Sequence, residues 1–119
     1  MTHSPRQVVT GESRVPYASP QEARRLAGIF KVLSHPDRVR IACLLADGRA
    51  ATQRELLEEL HWPQSTLARH LATLRERGLV RATRRGSEVY LELASDLPSR
   101  LLAAAGELSA LDAAVARLA

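Results

Sequence analysis

The chain has 119 residues, a formal charge of +4, 45% hydrophobic residues and only 3% aromatic ones. That is one domain's length, enough for a modest core that oligomerisation would enlarge. It excludes a bilayer-spanning run, lacks a signal-peptide core near Met1, and its one cysteine excludes an internal disulfide or a multi-thiolate metal site within one chain. The expected location is cytoplasmic, with no membrane partner.

Residues 1–18 are polar, include Pro5, Gly11 and Pro16, and show no periodic pattern, so they read as a flexible tail. Ser19-Pro-Gln-Glu22 opens a first helix with two agreeing signals, a capping box and a proline at the first position. That helix runs to about Leu33, with Leu26, Ile29, Phe30 and Leu33 as its apolar stripe. A second helix begins at Pro36 and ends before Gly48. Val39, Ile41, Ala42, Leu44 and Leu45 are apolar on several of its sides, which predicts a central buried helix. Cys43 lies in that run and is expected to be an inert core residue, with a redox switch as the other reading. Residues 49–51 are a candidate short strand.

Thr52-Gln-Arg-Glu55 is a second capping box. Leu56, Leu57 and Leu60 then face one way and Arg54, Glu55, Glu58 and Glu59 the other, an amphipathic helix over 52–60. His61-Trp62 leaves room only for a turn, and Pro63 suits a first helical residue. The helix over 63–77 has Leu67, Leu71 and Leu74 on one face, and Gly78 closes it as a left-handed cap. Its other face holds Gln64, Ser65, Thr66, Arg69 and His70. Two helices joined by a short turn, with hydrogen-bonding groups on the early part of the second, is how a recognition helix enters a major groove. Residues 79–85 and 88–94 follow as a hairpin turned by Gly86-Ser87. In its second arm Val89, Leu91 and Leu93 alternate with Glu88, Tyr90 and Glu92, the pattern of a half-buried strand. The first arm carries Arg81, Arg84 and Arg85, which makes the hairpin a basic wing.

The last helix starts near residues 96–98 and continues to Leu118. Leu101, Ala104, Leu108, Leu111, Val115 and Leu118 follow steps of three and four, a two-stranded seam. The expected partners of that seam are the first helix and a second copy of the chain; packing only against its own domain is the alternative. Residues 66–90 hold six arginines against Glu76 and Glu88, while the remainder balances at eleven basic and eleven acidic residues. The whole formal excess therefore sits on the expected reading helix and wing, the footprint of phosphate contacts.

Four pieces together resemble the ArsR/SmtB family of winged-helix repressors: Leu33-Ser-His-Pro-Asp-Arg-Val-Arg-Ile41, Ser65-Thr-Leu-Ala-Arg-His-Leu71, Leu74-Arg-Glu-Arg-Gly-Leu-Val80 and Arg84-Arg-Gly-Ser-Glu-Val-Tyr90. The resemblance covers roughly residues 20–95. The expected fold is mainly α with a small β-hairpin (α+β), a winged helix-turn-helix of five helices plus a wing. Residues 1–18 are its tail, 19–95 its DNA-binding domain and 96–119 a dimerisation helix of the same domain.

On the reading helix, Arg69 can fork onto guanine or a phosphate and Gln64 can pair with adenine. Ser65 and Thr66 stand where helix N-terminal amides meet phosphate. His70, at the edge of that face, either touches DNA or packs beside Leu71 and the wing; it is counted among the DNA contacts. Arg81, Arg84 and Arg85 reach phosphate or a minor groove, with one of the three pairing instead with Glu88 or Glu92 across the hairpin. The dimerisation set is Leu26, Ile29, Phe30 and Leu33 with Leu101, Leu108, Leu111, Val115 and Leu118.

What the chain senses is less legible. The resemblance implies a metal read through a Cys-x-Cys motif on the third helix, or through His and carboxylates on the last one. This chain has neither, and soft ions select sulfur ligands. The spacing of His3, His35, His61 and His70 matches no compact metal motif. The one metal candidate is Met1-Thr2-His3, where an imidazole and a free amine can wrap square-planar nickel or copper; otherwise no cofactor is expected. No nucleophile–base set, phosphate loop or paired acid site argues for an enzyme. The expectation is a transcriptional regulator, a repressor by preference, that binds an inverted-repeat operator in double-stranded DNA as a homodimer. The alternatives are a metal-linked regulator using histidines or a second regulatory protein, a constitutive or redox-read repressor, and a winged-helix module that binds protein.

Overall fold

The computed structural model describes residues 19–118, apart from the side-chain surroundings of 108–112 and 114–116. Five helices and a small sheet follow in the order α1 (Pro20–Val32), α2 (Pro36–Leu44), β1 (Ala50–Ala51), α3 (Gln53–Leu60), α4 (Gln64–Glu76), β2 (Val80–Arg85), β3 (Glu88–Leu93) and α5 (Leu97–Leu118). This is the expected winged helix-turn-helix. The expected tail and His3 lie outside the described residues.

Local chemistry sets the helix ends. The Glu22 N–H donates to Ser19 Oγ at 3.1 Å and the Ser19 N–H to Glu22 Oε1 at 2.8 Å. Thr52 and Glu55 repeat the exchange at the start of α3, again at 3.1 and 2.8 Å. Each box satisfies two otherwise unpaired backbone donors. His35 caps α2, its Nδ1 accepting from the Asp37 N–H at 3.1 Å. One tie was not legible in the sequence: Arg38 Nε donates to the Val32 carbonyl at 2.6 Å, joining the end of α1 to the first turn of α2.

At the end of α4 the Leu79 N–H reaches Leu74 O at 2.9 Å and the Gly78 N–H reaches Arg75 O at 3.0 Å. With Gly78 at φ +78°, this is a Schellman ending, and buried Leu74 and Leu79 supply its apolar contact. A Cβ at Gly78 would meet no neighbour, so the left-handed backbone, not crowding, is what requires glycine there. The other end of α4 differs slightly from expectation. Pro63 is the residue before the helix (φ −57°, ψ 142°), and no side chain caps the first turn.

Ile41, Leu45, Leu56, Leu67 and Leu74 are the largest fully buried side chains, so α2, α3 and α4 meet at the core. The sheet order is β1-β3-β2, all antiparallel, so the candidate short strand is present as β1, beside β3 of the wing. Register pairs Val80 with Leu93 and Ala82 with Leu91 on the core face. The opposite face pairs Arg81 with Glu92, Thr83 with Tyr90 and Arg85 with Glu88. The alternation sends the apolar set inward near the base of the hairpin. At its tip Arg84 and Val89, paired on that same face, are exposed, so Val89, expected on the buried side, is not part of it.

Cys43 corrects the sequence reading: it is exposed. Ile41, Ala42 and Leu45 are buried, and on a 3.6-residue helix position 43 points away from all three. An apolar run is not an apolar face. The start of α5 is fastened to the domain by Leu102 against the core, by buried Pro98, and by the Asp47 N–H donating to Ser99 Oγ at 3.3 Å. Residues 103–107 are then exposed along the helix.

Candidate nucleic-acid interface

Gln64, Ser65 and Arg69 are exposed on α4 and Thr66 is half-buried, while Leu67, His70, Leu71 and Leu74 are buried on its inner side. The helix is therefore split lengthwise into a core stripe and a polar face. The uncapped first turn lies on that polar face and leaves backbone N–H groups for an anion. Arg69 forms no ion pair among the described residues and has the reach to fork onto a base edge or a phosphate.

His70 corrects the second expectation. It is 3% exposed and cannot touch a duplex in this arrangement. Its ring lies 4.6 Å from the His35 ring and 6.1 Å, edge to face, from Trp62. Its Nε2 is 3.4 Å from Asp37 Oδ2, and neither ring nitrogen has a hydrogen-bond partner. Burial, helped by the positive groups His35 and Arg69, holds its pKa below the usual histidine value despite the opposing pull of Asp37. The spacing of positions 67, 70, 71 and 74 allows His70 onto the core stripe but equally onto the border of the polar face. What spacing could not supply is the company: His35 and Asp37 come from the start of α2, more than thirty positions away in sequence.

The wing arginines divide by face. Arg81 Nε donates to Glu92 Oε2 at 3.2 Å and Thr83 Oγ1 to the same oxygen at 3.3 Å. Arg81 is thus the wing arginine that pairs across the hairpin, and its hydrogen bond is the main reason Glu92 sits below the usual carboxylate pKa. The Arg85 guanidinium lies 5.1 Å from the Tyr90 ring centre, a cation–π contact. The Tyr90 hydroxyl donates to Glu88 Oε1 at 3.2 Å, and that bond raises its pKa. Arg54 of α3 reaches Glu88 at 3.8 Å and Glu58 at 3.5 Å. These pairs are well exposed and add little to stability. Arg84 shares no ion pair among the described residues, which leaves its full charge for a phosphate.

On the dimerisation set, Ile29 and Leu33 pack partly on the domain's own core, and Leu26 and Leu101 are half-buried. Phe30 is 55% exposed and Leu118 86%. The side chains of Leu108, Leu111 and Val115 lie outside the described residues. No described helix is long and apolar enough to cross a membrane.

Residues 35–82, which contain α2, α3, α4 and the first half of β2, match the model of a family described as bacterial regulatory protein, arsR family. The chain is 37% identical over 94 residues to the biofilm growth-associated repressor of Agrobacterium fabrum, covering 79% of each sequence. Among solved structures it resembles Rv0081 of M. tuberculosis, with a TM-score of 0.68 and 33% identity, over 86% of this chain and 100% of that one. It also resembles the homodimeric winged helix-turn-helix DNA-binding domain of Mb0332 from Mycobacterium bovis, with a TM-score of 0.63 and 26% identity, over 80% and 90% of the two chains.

Proposed function

The chain belongs to the arsR family of bacterial regulatory proteins, DNA-binding transcriptional regulators and not enzymes, and from that premise we propose that it is a repressor which grips an inverted-repeat operator as a homodimer. The observation that carries the reading is the lengthwise split of α4. Its apolar side is spent on the core, so its exposed side, with Gln64, Ser65 and Arg69, is turned to solvent, and Arg84 of the wing is exposed as well. A helix fixed in this way can lie in a major groove while the wing follows the flanking backbone.

Pairing of two chains is supported by the surface that one chain leaves uncovered. Phe30 on α1 is exposed, and α5 leaves the body after Leu102 with an apolar repeat still ahead of it. A two-fold seam through α1 and α5 would bury that surface and set the two α4 helices about 34 Å apart, one turn of duplex. The homodimeric state named for the similar Mb0332 domain supports the pairing of two chains.

The test is a gel shift of full-length protein on the intergenic DNA upstream of its own gene, across a salt series. Affinity should fall steeply with salt because phosphate contacts release counterions. Association that ignores salt and shows no preference for duplex would replace this reading with that of a protein-binding module.

A further inference from the structure

We propose that His35, Asp37 and His70 form a binding site for a zinc-class divalent cation that joins the start of α2 to the middle of the recognition helix. Among the described residues, these three bring one donor atom each to within 4.8 Å of one another. His70 is 3% exposed, and both of its ring nitrogens lack a hydrogen-bond partner. An unpaired polar group at such a depth costs free energy, so its nitrogens are expected to have a use.

The His70–Asp37 pair fits ligation better than hydrogen bonding. His70 Nε2 and Asp37 Oδ2 are 3.4 Å apart, longer than an N–H···O bond prefers. Two ligands on one tetrahedral zinc, each roughly 2.1 Å from it, are separated by about 3.4 Å. The remaining donor, from His35, has up to about 1.4 Å to close from 4.8 Å, a ring movement that gives up the cap on the Asp37 N–H where Nδ1 is the ligand. Two imidazoles and a carboxylate with a fourth position open suit zinc; no thiolate is present to prefer a soft ion, and hard calcium or magnesium would refuse imidazole.

Access and charge also allow it. The Asp37 side chain is 36% exposed, which opens a path from solvent to the buried imidazole. Arg38, the residue after Asp37 on α2, is turned onto the Val32 carbonyl. The consequence rests on the DNA-binding reading above. His70 follows Arg69, so an ion shared with α2 would favour this one setting of α4 over any other, and operator affinity would change with it.

The experiment uses zinc itself with the full chain, stripped by EDTA and dialysed, in competition with a chromophoric chelator. One zinc per chain is expected, with a change in the emission of Trp62, the only tryptophan, whose ring stands against His70. Asp37→Asn and His35→Asn replace partly exposed ligands, and asparagine remains a good cap for α2. Each should weaken zinc by at least about tenfold, as even outer-shell changes do, and abolish the Trp62 response. Retention of full affinity by either variant, or no uptake by the parent chain, overturns the site. Loss of binding in His3→Ala instead would assign the metal to the N-terminal chelate and equally overturn it. Operator affinity should differ at least about fivefold between zinc and EDTA in the parent, and not in Asp37→Asn; indifference to bound zinc overturns the regulatory role. Stripped protein that binds operator but takes up no zinc refutes this site alone, whereas zinc uptake without operator binding refutes the repressor reading alone.

Discussion

Arg81 and Glu92 face each other across the wing, paired in register and joined by a 3.2 Å contact from Nε to Oε2. Much of the wing's charge near its base is therefore neutralised within the hairpin, while Arg84 keeps its own. Arg84→Ala should weaken binding to every duplex alike and reduce the salt slope by about one. Arg81→Ala should do less than Arg84→Ala. Fluorescence anisotropy at several salt concentrations measures both, and equal losses would show that the Arg81–Glu92 pair opens on DNA.

The same pair has a pH signature. The folded-state pKa of Glu92 is lowered, chiefly by the Arg81 hydrogen bond. The unfolded chain therefore takes up the proton first as pH falls. The small stabilisation from this pair is complete above the ordinary glutamate pKa of 4.5 and is lost as pH drops through the folded value. Urea denaturation of the parent and Arg81→Ala between pH 6 and pH 3 should show a shallower decline for the variant. Parallel curves would mean that the contact does not persist in solution.

Arg69 is exposed on the outer side of α4, one position before a buried residue. If it reads a base, Arg69→Ala costs about 1–3 kcal/mol on the operator and relaxes preference at one base pair of each half-site. Binding to a panel of single-substituted operators tests this. A uniform loss over the panel would make Arg69 a phosphate contact.

His70 should behave differently from its neighbour. Its nitrogens are unpartnered in the absence of metal, so replacing them with carbon removes a desolvation cost and not a bond. In EDTA, His70→Leu should leave the melting temperature unchanged or raise it. A loss of more than about 1 kcal/mol, the worth of a typical hydrogen bond, would show that the imidazole has a partner in the folded protein.

Phe30→Asp places a charge on an exposed apolar position of α1, and Leu108→Glu places one on the expected stripe of α5. Each should yield monomers by light scattering, with operator binding much weakened because one half-site alone is then held. A dimer that survives both changes would move the seam elsewhere.

The elements themselves were legible because their causes are local. Ser19 with Glu22 and Thr52 with Glu55 interact across three positions, Gly78 and Leu79 close on Leu74 and Arg75, and the alternation from Glu88 to Leu93 needs only its neighbour strand. The concentration of arginine on 66–90 is likewise a property of the sequence and needs no fold to be seen.

Tertiary packing decided the rest. Along α4 the spacing admits His70 to either the outer or the inner side, and the approach of α2 with Trp62 is what covers it. Along α2 the apolar run from 41 to 45 seemed to include Cys43, until the direction of the core turned that residue to solvent. Which arginine of the wing is free depends on what stands opposite it, and Glu92 took Arg81. Sequence specifies the periodicity of a helix, but only the angle at which its neighbours cross it specifies which border residues lose their water. For that reason a histidine at the margin of the expected DNA face, and two residues from the start of another helix, could become one buried cluster without any motif to announce it.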